Sequence, residues 1–321
     1  MTRLTSLLAA SAAAVLAASV ATAGAPPATT LDVLRAGTAH EAVYCIDVQG
    51  KEALAVGAPA LLFESNDGGH GWHKVEHGLT VSALLGCSLK QGVGLVVGQA
   101  GTILRREKGQ TAWTAIASGS TSRLFDIDLN ASGQAVAVGA FGTVLRSGDG
   151  GKSWTQVAID WAAFNPEGLE PHLYGVTVDD AGAITVVGEF ELILRSTDGG
   201  ATWSAAHSGE ASLFDLAIGR DGIGYAVGQK GTVLRTSDGG ASWAAERTPT
   251  QVNLLGVKIR DDGAVLVTGM RALLRGTKGG SDWAVATPGD VATTWYQGVA
   301  AGGNTQWIVT GHRGRIVELA P

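Results

Sequence analysis

One phrase returns along this chain at a nearly fixed interval. Residues 228–243 read GQKGTVLRTSDGGASW, 139–154 GAFGTVLRSGDGGKSW, 188–203 GEFELILRSTDGGATW and 57–72 GAPALLFESNDGGHGW. Weaker copies occupy 98–113 and 269–283, and a last copy starting at 311 stops before any Trp. The leading glycines (Gly57, Gly98, Gly139, Gly188, Gly228, Gly269, Gly311) lie 40–42 residues apart, with one longer step between the third and fourth. Seven copies at that period restrict the chain to a radial or solenoidal array.

Each unit divides into four short pieces rich in β-branched residues and separated by Gly, Ser, Asn or Asp. In the third unit these are 124–129, 134–138, 143–146 and 154–159. The pattern is that of short antiparallel strands, and no unit holds a helical period. Four strands per unit, repeated radially, predict an all-β fold: a seven-bladed β-propeller of four-stranded antiparallel blades. The last unit lacks its outer Trp strand, while residues 30–35 (TLDVLR) form a spare strand ahead of the first unit. Residues 30–35 are expected to complete the last blade and close the ring, since unpaired edges at both termini would invite aggregation.

Residues 1–23 read as a secretory signal. Arg3 precedes an apolar run at 7–20, and Ala21-Thr22-Ala23 is a small-x-small cleavage site. Residues 24–29 form a short leader and 30–321 one propeller domain. The expectation is an exported protein without a membrane anchor, periplasmic, or lumenal to the thylakoid if the source is photosynthetic. Net charge is −6, and −7 once Arg3 leaves with the signal, which argues against nucleic-acid partners.

The turn after the third strand follows Ser/Thr-x-Asp-x-Gly-x-x-Trp in four units, beginning at Ser65, Ser147, Ser196 and Thr236, as in Ser147, Asp149, Gly151 and Trp154. The Asp accepts from turn amides, the Gly admits a positive φ and the Trp buries its ring. This resembles the Asp-box of BNR-repeat propellers, and the resemblance implies a structural box on the face opposite the usual active site. Across all units, the VG-x-x-G-T-[VI]-L-R-x-x-D-G-G-x-x-W repeat and an exported precursor resemble the Ycf48-like photosystem II assembly factors. That resemblance implies a non-enzymatic propeller, without cofactor, that binds a membrane-protein client.

Four sets of residues are candidates for more than architecture. Cys45 and Cys87 lie in neighbouring inner strands, where an oxidising compartment suits a disulfide; free thiols lining the channel are the competing reading. The equivalent position carries Asp126, Gly175, Asp215, Gly256 and Gly298, expected to line a polar, water-filled channel. The third-strand arginines Arg105, Arg146, Arg195, Arg235 and Arg275 read either as clasps on a Trp or a turn carboxylate, or as a basic arc for an acidic peptide. Glu64 and Glu318 replace them in the first and last units. The loops that vary between blades should carry specificity. There the long step inserts Trp161 and Phe164 beside Asp160, Glu167 and Glu170, with Phe141, Phe190 and Glu189 in adjoining loops; these aromatics read equally as an exposed protein-binding hot spot or as rings that tuck the insertion onto the blades. Lys230, Arg247, Arg271, His312 and Arg313 form a basic sector on the other side.

The chemistry of a sialidase is missing. Arg123, Arg247, Arg271 and Arg313 fall in separate loops, and the family's Arg-Ile-Pro motif is absent. A paired-carboxylate glycosidase could draw on Asp160, Glu167, Glu170 or Glu189, but no spacing selects two of them. No metal-ligand motif occurs. The reading is a monomeric, non-enzymatic protein-binding propeller serving a membrane or envelope complex; the alternative is a carbohydrate-active or glycan-binding BNR propeller.

Overall fold

The computed structural model describes residues 30–164, 167–303 and 305–319, so the expectations for 1–23 and 24–29 lie outside the described residues. Seven four-stranded antiparallel sheets follow one another, each in simple up-and-down order from an inner to an outer strand. In the third blade the strands are Leu124–Leu129, Ala135–Gly139, Val144–Ser147 and Thr155–Gln156. The outer strand is shorter than its sequence suggests because Trp154 is drawn into the turn. Its Nε1–H donates to Gly151 O at 3.1 Å, and its ring packs on the core between blades two and three.

Leu31–Arg35 pairs antiparallel with Ile316–Leu319 and becomes the outer strand of the last blade. The ring is thus tied by a strand contributed from the other end of the chain. Its seam is filled like the others: Val43, Ile46 and Phe63 of blade one pack with Ala300, Ile308 and Ile316 of blade seven. Seven apolar clusters occur among the described residues, one at each interface between neighbouring blades. Each buried Val, Leu or Ile there contributes roughly 1.5–3 kcal/mol, so the core lies between the sheets rather than within any one of them.

The box turns are built as their residue types require. Asp149 Oδ1 accepts from Lys152 N and Ser153 N at 2.9 and 3.0 Å, while Ser147 Oγ accepts from Gly151 N at 2.9 Å. Hydrogen bonds from Ser153 and Ser147 hold the Asp149 carboxyl well below the usual range. Gly151 has φ +83°, and a Cβ there would lie 2.5 Å from Leu95 of the preceding blade. Conformation and crowding both exclude a side chain.

The arginine series is an inter-blade clasp. Arg105 Nε donates to Gly150 O at 2.6 Å, Arg146 Nη1 to Gly199 O at 2.7 Å and Arg195 Nε to Gly239 O at 3.1 Å. Each reaches the box turn of the next blade, where it meets a backbone carbonyl; Arg105 also pairs with a turn carboxylate of its own blade, Glu107, at 2.6 Å. Arg235 lies beside the corresponding Gly279, and burial together with Arg260 lowers the pKa of Arg275. The exceptions follow the same logic. Where blade two lacks the box, Arg106 replaces the Ser and pairs with Glu64 at 2.6 Å, and Trp113 Nε1 donates to the same Glu64 oxygen at 3.0 Å. Glu64 reverses the charge of the usual Arg, Arg106 brings the cation from the other side of that seam, and the clasp survives. The arginines therefore face the neighbouring blade, and their regularity is that of the ring itself.

Candidate functional site

A propeller's inner strands leave one edge unpaired toward the central channel, and buried amides there need acceptors. This chain supplies them from the neighbouring blade. Asp47 Oδ2 accepts from Leu89 N at 2.8 Å, Asp126 Oδ2 from Val176 N at 2.9 Å, Asp128 Oδ2 from Val178 N at 2.8 Å and Asp215 Oδ2 from Val257 N at 2.8 Å. Between blades one and two the link is covalent: Cys45 and Cys87 form a disulfide with Cα atoms 5.9 Å apart. The channel aspartates, expected to line a polar water-filled tunnel, are also stitches between strands. Burial and the nearby Asp215 push the Asp126 carboxyl well above the ordinary value. Burial raises Asp215 to about 6 despite amide bonds from Val257 and Leu216.

Just above this layer every inner strand carries a register irregularity, as between Leu124 and Asp126 or Leu213 and Asp215. A bulge re-aims one side chain, and here the residue is Tyr44, Leu85, Phe125, Tyr174, Phe214, Leu255 or Gln297. All seven line a cavity of about 1200 Å³ that extends along the channel. Phe125, Tyr174 and Phe214 form a continuous arc, with centroids 5.3 and 5.5 Å apart. Tyr44 stacks on Trp295 at 6.0 Å across the opening. Sequence reasoning missed this ring; its signal was the aliphatic or aromatic residue that precedes the Cys, Asp or Gly in six of the seven inner strands, Gln297 being the exception.

Outside the mouth stand the turns between second and third strands. In six blades the second residue after the strand-ending glycine is a non-glycine in the left-handed region: Ala100, Phe141, Phe190, Lys230, Arg271 and Arg313, with φ between 53° and 63°; in blade one Pro59 holds that place and Ala60, one residue later, has φ 43°. That conformation costs roughly 1–2 kcal/mol for a residue with a Cβ. Strain kept at this point in six of the seven turns projects six side chains from one face: one small, two aromatic, three cationic. Phe141 and Phe190 are 66 % and 46 % exposed, and Lys230, Arg271 and Arg313 are exposed as well.

Of the two readings of the insertion, the structure shows the architectural one for Trp161 and Phe164. Trp161 is only 8 % exposed and belongs to the core between blades three and four. It lies so close over Gly142 that a Cβ there would meet Trp161 Nε1 at 2.4 Å. Phe164 packs edge-on against it at 6.4 Å. These two rings fasten the loop to the blades and are not an exposed hot spot. The loop's far end reaches the mouth instead: His172 packs 4.9 Å from Phe141 and accepts from Phe141 N at 3.1 Å. Glu189 accepts from His172 N at 2.9 Å, while Asp160, Glu167 and Glu170 are exposed. Arg247 stands apart from the other cations, bordering a flank cavity of about 530 Å³ with Trp283. Among the described residues no cluster of His, Cys, Asp and Glu could hold a metal ion, and no helix is long and apolar enough to cross a membrane.

The family model described as photosynthesis system II assembly factor YCF48 matches residues 31–143 and 105–210. A structure of YCF48 bound to D1 peptide superposes with a TM-score of 0.71 at 18 % identity, covering 93 % of this chain and 96 % of that one. YCF48 from Cyanidioschyzon merolae gives 0.72 at 16 % identity, covering 91 % and 99 %. A streptogramin B lyase gives 0.76 at 12 % identity, covering 91 % and 97 %, a likeness of fold alone. No curated protein sequence matches the chain.

Proposed function

The chain belongs to the photosynthesis system II assembly factor YCF48 family, and from that premise we propose that it is a non-enzymatic propeller that binds a membrane-protein client through its variable-loop face. The observation that carries the reading is the ring of strained turns, which departs from the repeat only in what it displays. A repeat with no binding role would use glycine at a left-handed position; here Phe141, Phe190, Lys230, Arg271 and Arg313 project instead. Exposed aromatics beside cations are the residue types on which protein interfaces concentrate their energy. The solved YCF48 bound to D1 peptide supports a membrane-protein segment as the client class. The protein acts as an exported monomer, delivered by residues 1–23 to the compartment where such a client assembles.

Site-specific photo-cross-linking in the native envelope tests this. A photoreactive phenylalanine at 141 or 190 should capture one membrane protein, and one at the exposed Val285 on an outer strand should not. Equal capture from all three positions would overturn the assignment of the face. Fractionation that leaves the protein in the cytoplasm would overturn its export.

A further inference from the structure

The mouth of the channel has a chemistry that the rim does not share. Phe125, Tyr174 and Phe214 form the aromatic arc on blades three to five. The next residues on the same strands are Asp126, Gly175 and Asp215. Two carboxylates therefore flank a position without a side chain, about 3.3 Å deeper than the rings. They are close enough that Asp215 raises the pKa of Asp126. Both remain partly open to the cavity. Among the described residues neither makes an ion pair; the cation that Asp215 and Asp128 feel is Lys258, a further two residues along its strand from the aligned Gly256.

We propose that this mouth receives a basic side chain, lysine or arginine, from the client segment. Rings are attracted to a cation through their negative faces, and an aliphatic stem packs on them while the charged end continues. Entering from the variable face, a lysine stem lies against the Phe125–Tyr174–Phe214 arc and its ammonium reaches the Asp126 and Asp215 layer. Charge complementarity selects this occupant: an acidic side chain would meet two carboxylates, and a purely apolar one would bring them no cation beyond the Lys258 that Asp215 already feels. The exposed Lys230, Arg271 and Arg313 lie on the outer turns, where they serve acidic residues elsewhere on the same segment.

The inference rests on the variable face being the client-binding face, and its test needs no client. Pentylammonium, 1-pentanol and pentanoate share one chain and differ in charge, so their binding to the mature protein can be compared by ligand-observed NMR. Pentylammonium should bind about tenfold tighter than pentanol, and pentanoate weakest. The Asp126→Asn/Asp215→Asn variant should reduce the amine's advantage to about threefold or less, while Tyr174→Ala should weaken both ligands, the amine at least as much as the alcohol. If the double variant fails to fold, the wild-type series and its competition with N-acetyl-lysine amide still decide. Equal binding of amine and alcohol, tightest binding of pentanoate, or retained discrimination in the double variant would overturn the proposal. Cross-linking at Phe141 reads the face independently, so either result can fail without the other.

Discussion

The charge on Asp215 should cost stability at neutral pH, and its removal should strengthen the protein. The carboxyl titrates at about 6 in the fold because it is buried, against about 3.9 in an unfolded chain. Between those values the folded state holds more protons than the unfolded state. Stability therefore falls as pH rises from about 4 to 6, and is level above that. At 1.36 kcal/mol per pH unit the penalty is at most about 3 kcal/mol, and the partly open channel reduces it to about 2. In Asp215→Asn the Oδ1 atom can still accept from Val257 N, but the amide end no longer accepts from Leu216 N, a loss of about 1 kcal/mol. The net expectation at pH 8 is a gain of about 1 kcal/mol over wild type, and at pH 4 a loss of about 1. Urea unfolding followed by Trp fluorescence at pH 4, 5, 6, 7 and 8 measures the difference directly. Curves for the two proteins that run parallel across the whole range would refute the reasoning.

Other consequences of the stitched ring are open to the same assay. Cys45→Ala, or reduction of the Cys45–Cys87 bond, should lower stability by about 2–5 kcal/mol, since the crosslink closes a loop between two blades; an unchanged urea midpoint would contradict it. Arg146→Met removes the clasp on Gly199 O and should cost about 1–2 kcal/mol, whereas the same change at Lys152, exposed beside its own turn, should cost little. Deleting residues 30–35 strips the outer strand from the last blade. It should lower the thermal midpoint and promote association through the exposed edge, which light scattering would register.

The architecture was readable because a seven-fold repeat multiplies a weak strand signal. Residues 30–35 could be assigned to the last blade because the final copy visibly lacked a Trp strand. The site was less legible for reasons of register and depth. A bulge shifts Phe125, Tyr174 and Phe214 into the mouth, and no propensity announces a bulge; read along the strand they look like ordinary core residues. Trp161 looked like an exposed anchor in a polar loop, yet Gly142 leaves a flat place for its ring in three dimensions. Phe141 and Phe190 were singled out from the loops alone, and both side chains are exposed. The arginines carried a regular charge whose partner, the next blade's turn carbonyl, is 44–53 residues away and carries no side-chain signature.

The central claim is that client binding resides on the variable-loop face and not on the Asp-box face. Its most direct measurement is the affinity of the cross-linked client for two purified variants by biolayer interferometry. Phe141→Ala/Phe190→Ala/Arg271→Ala should weaken binding by about a hundredfold or more, since two or three anchors are each worth upwards of 1 kcal/mol. Lys152→Ala/His70→Ala, on exposed box turns, should leave it unchanged. Binding that survives the first variant and falls in the second would place the working face on the other side of the ring and contradict the account.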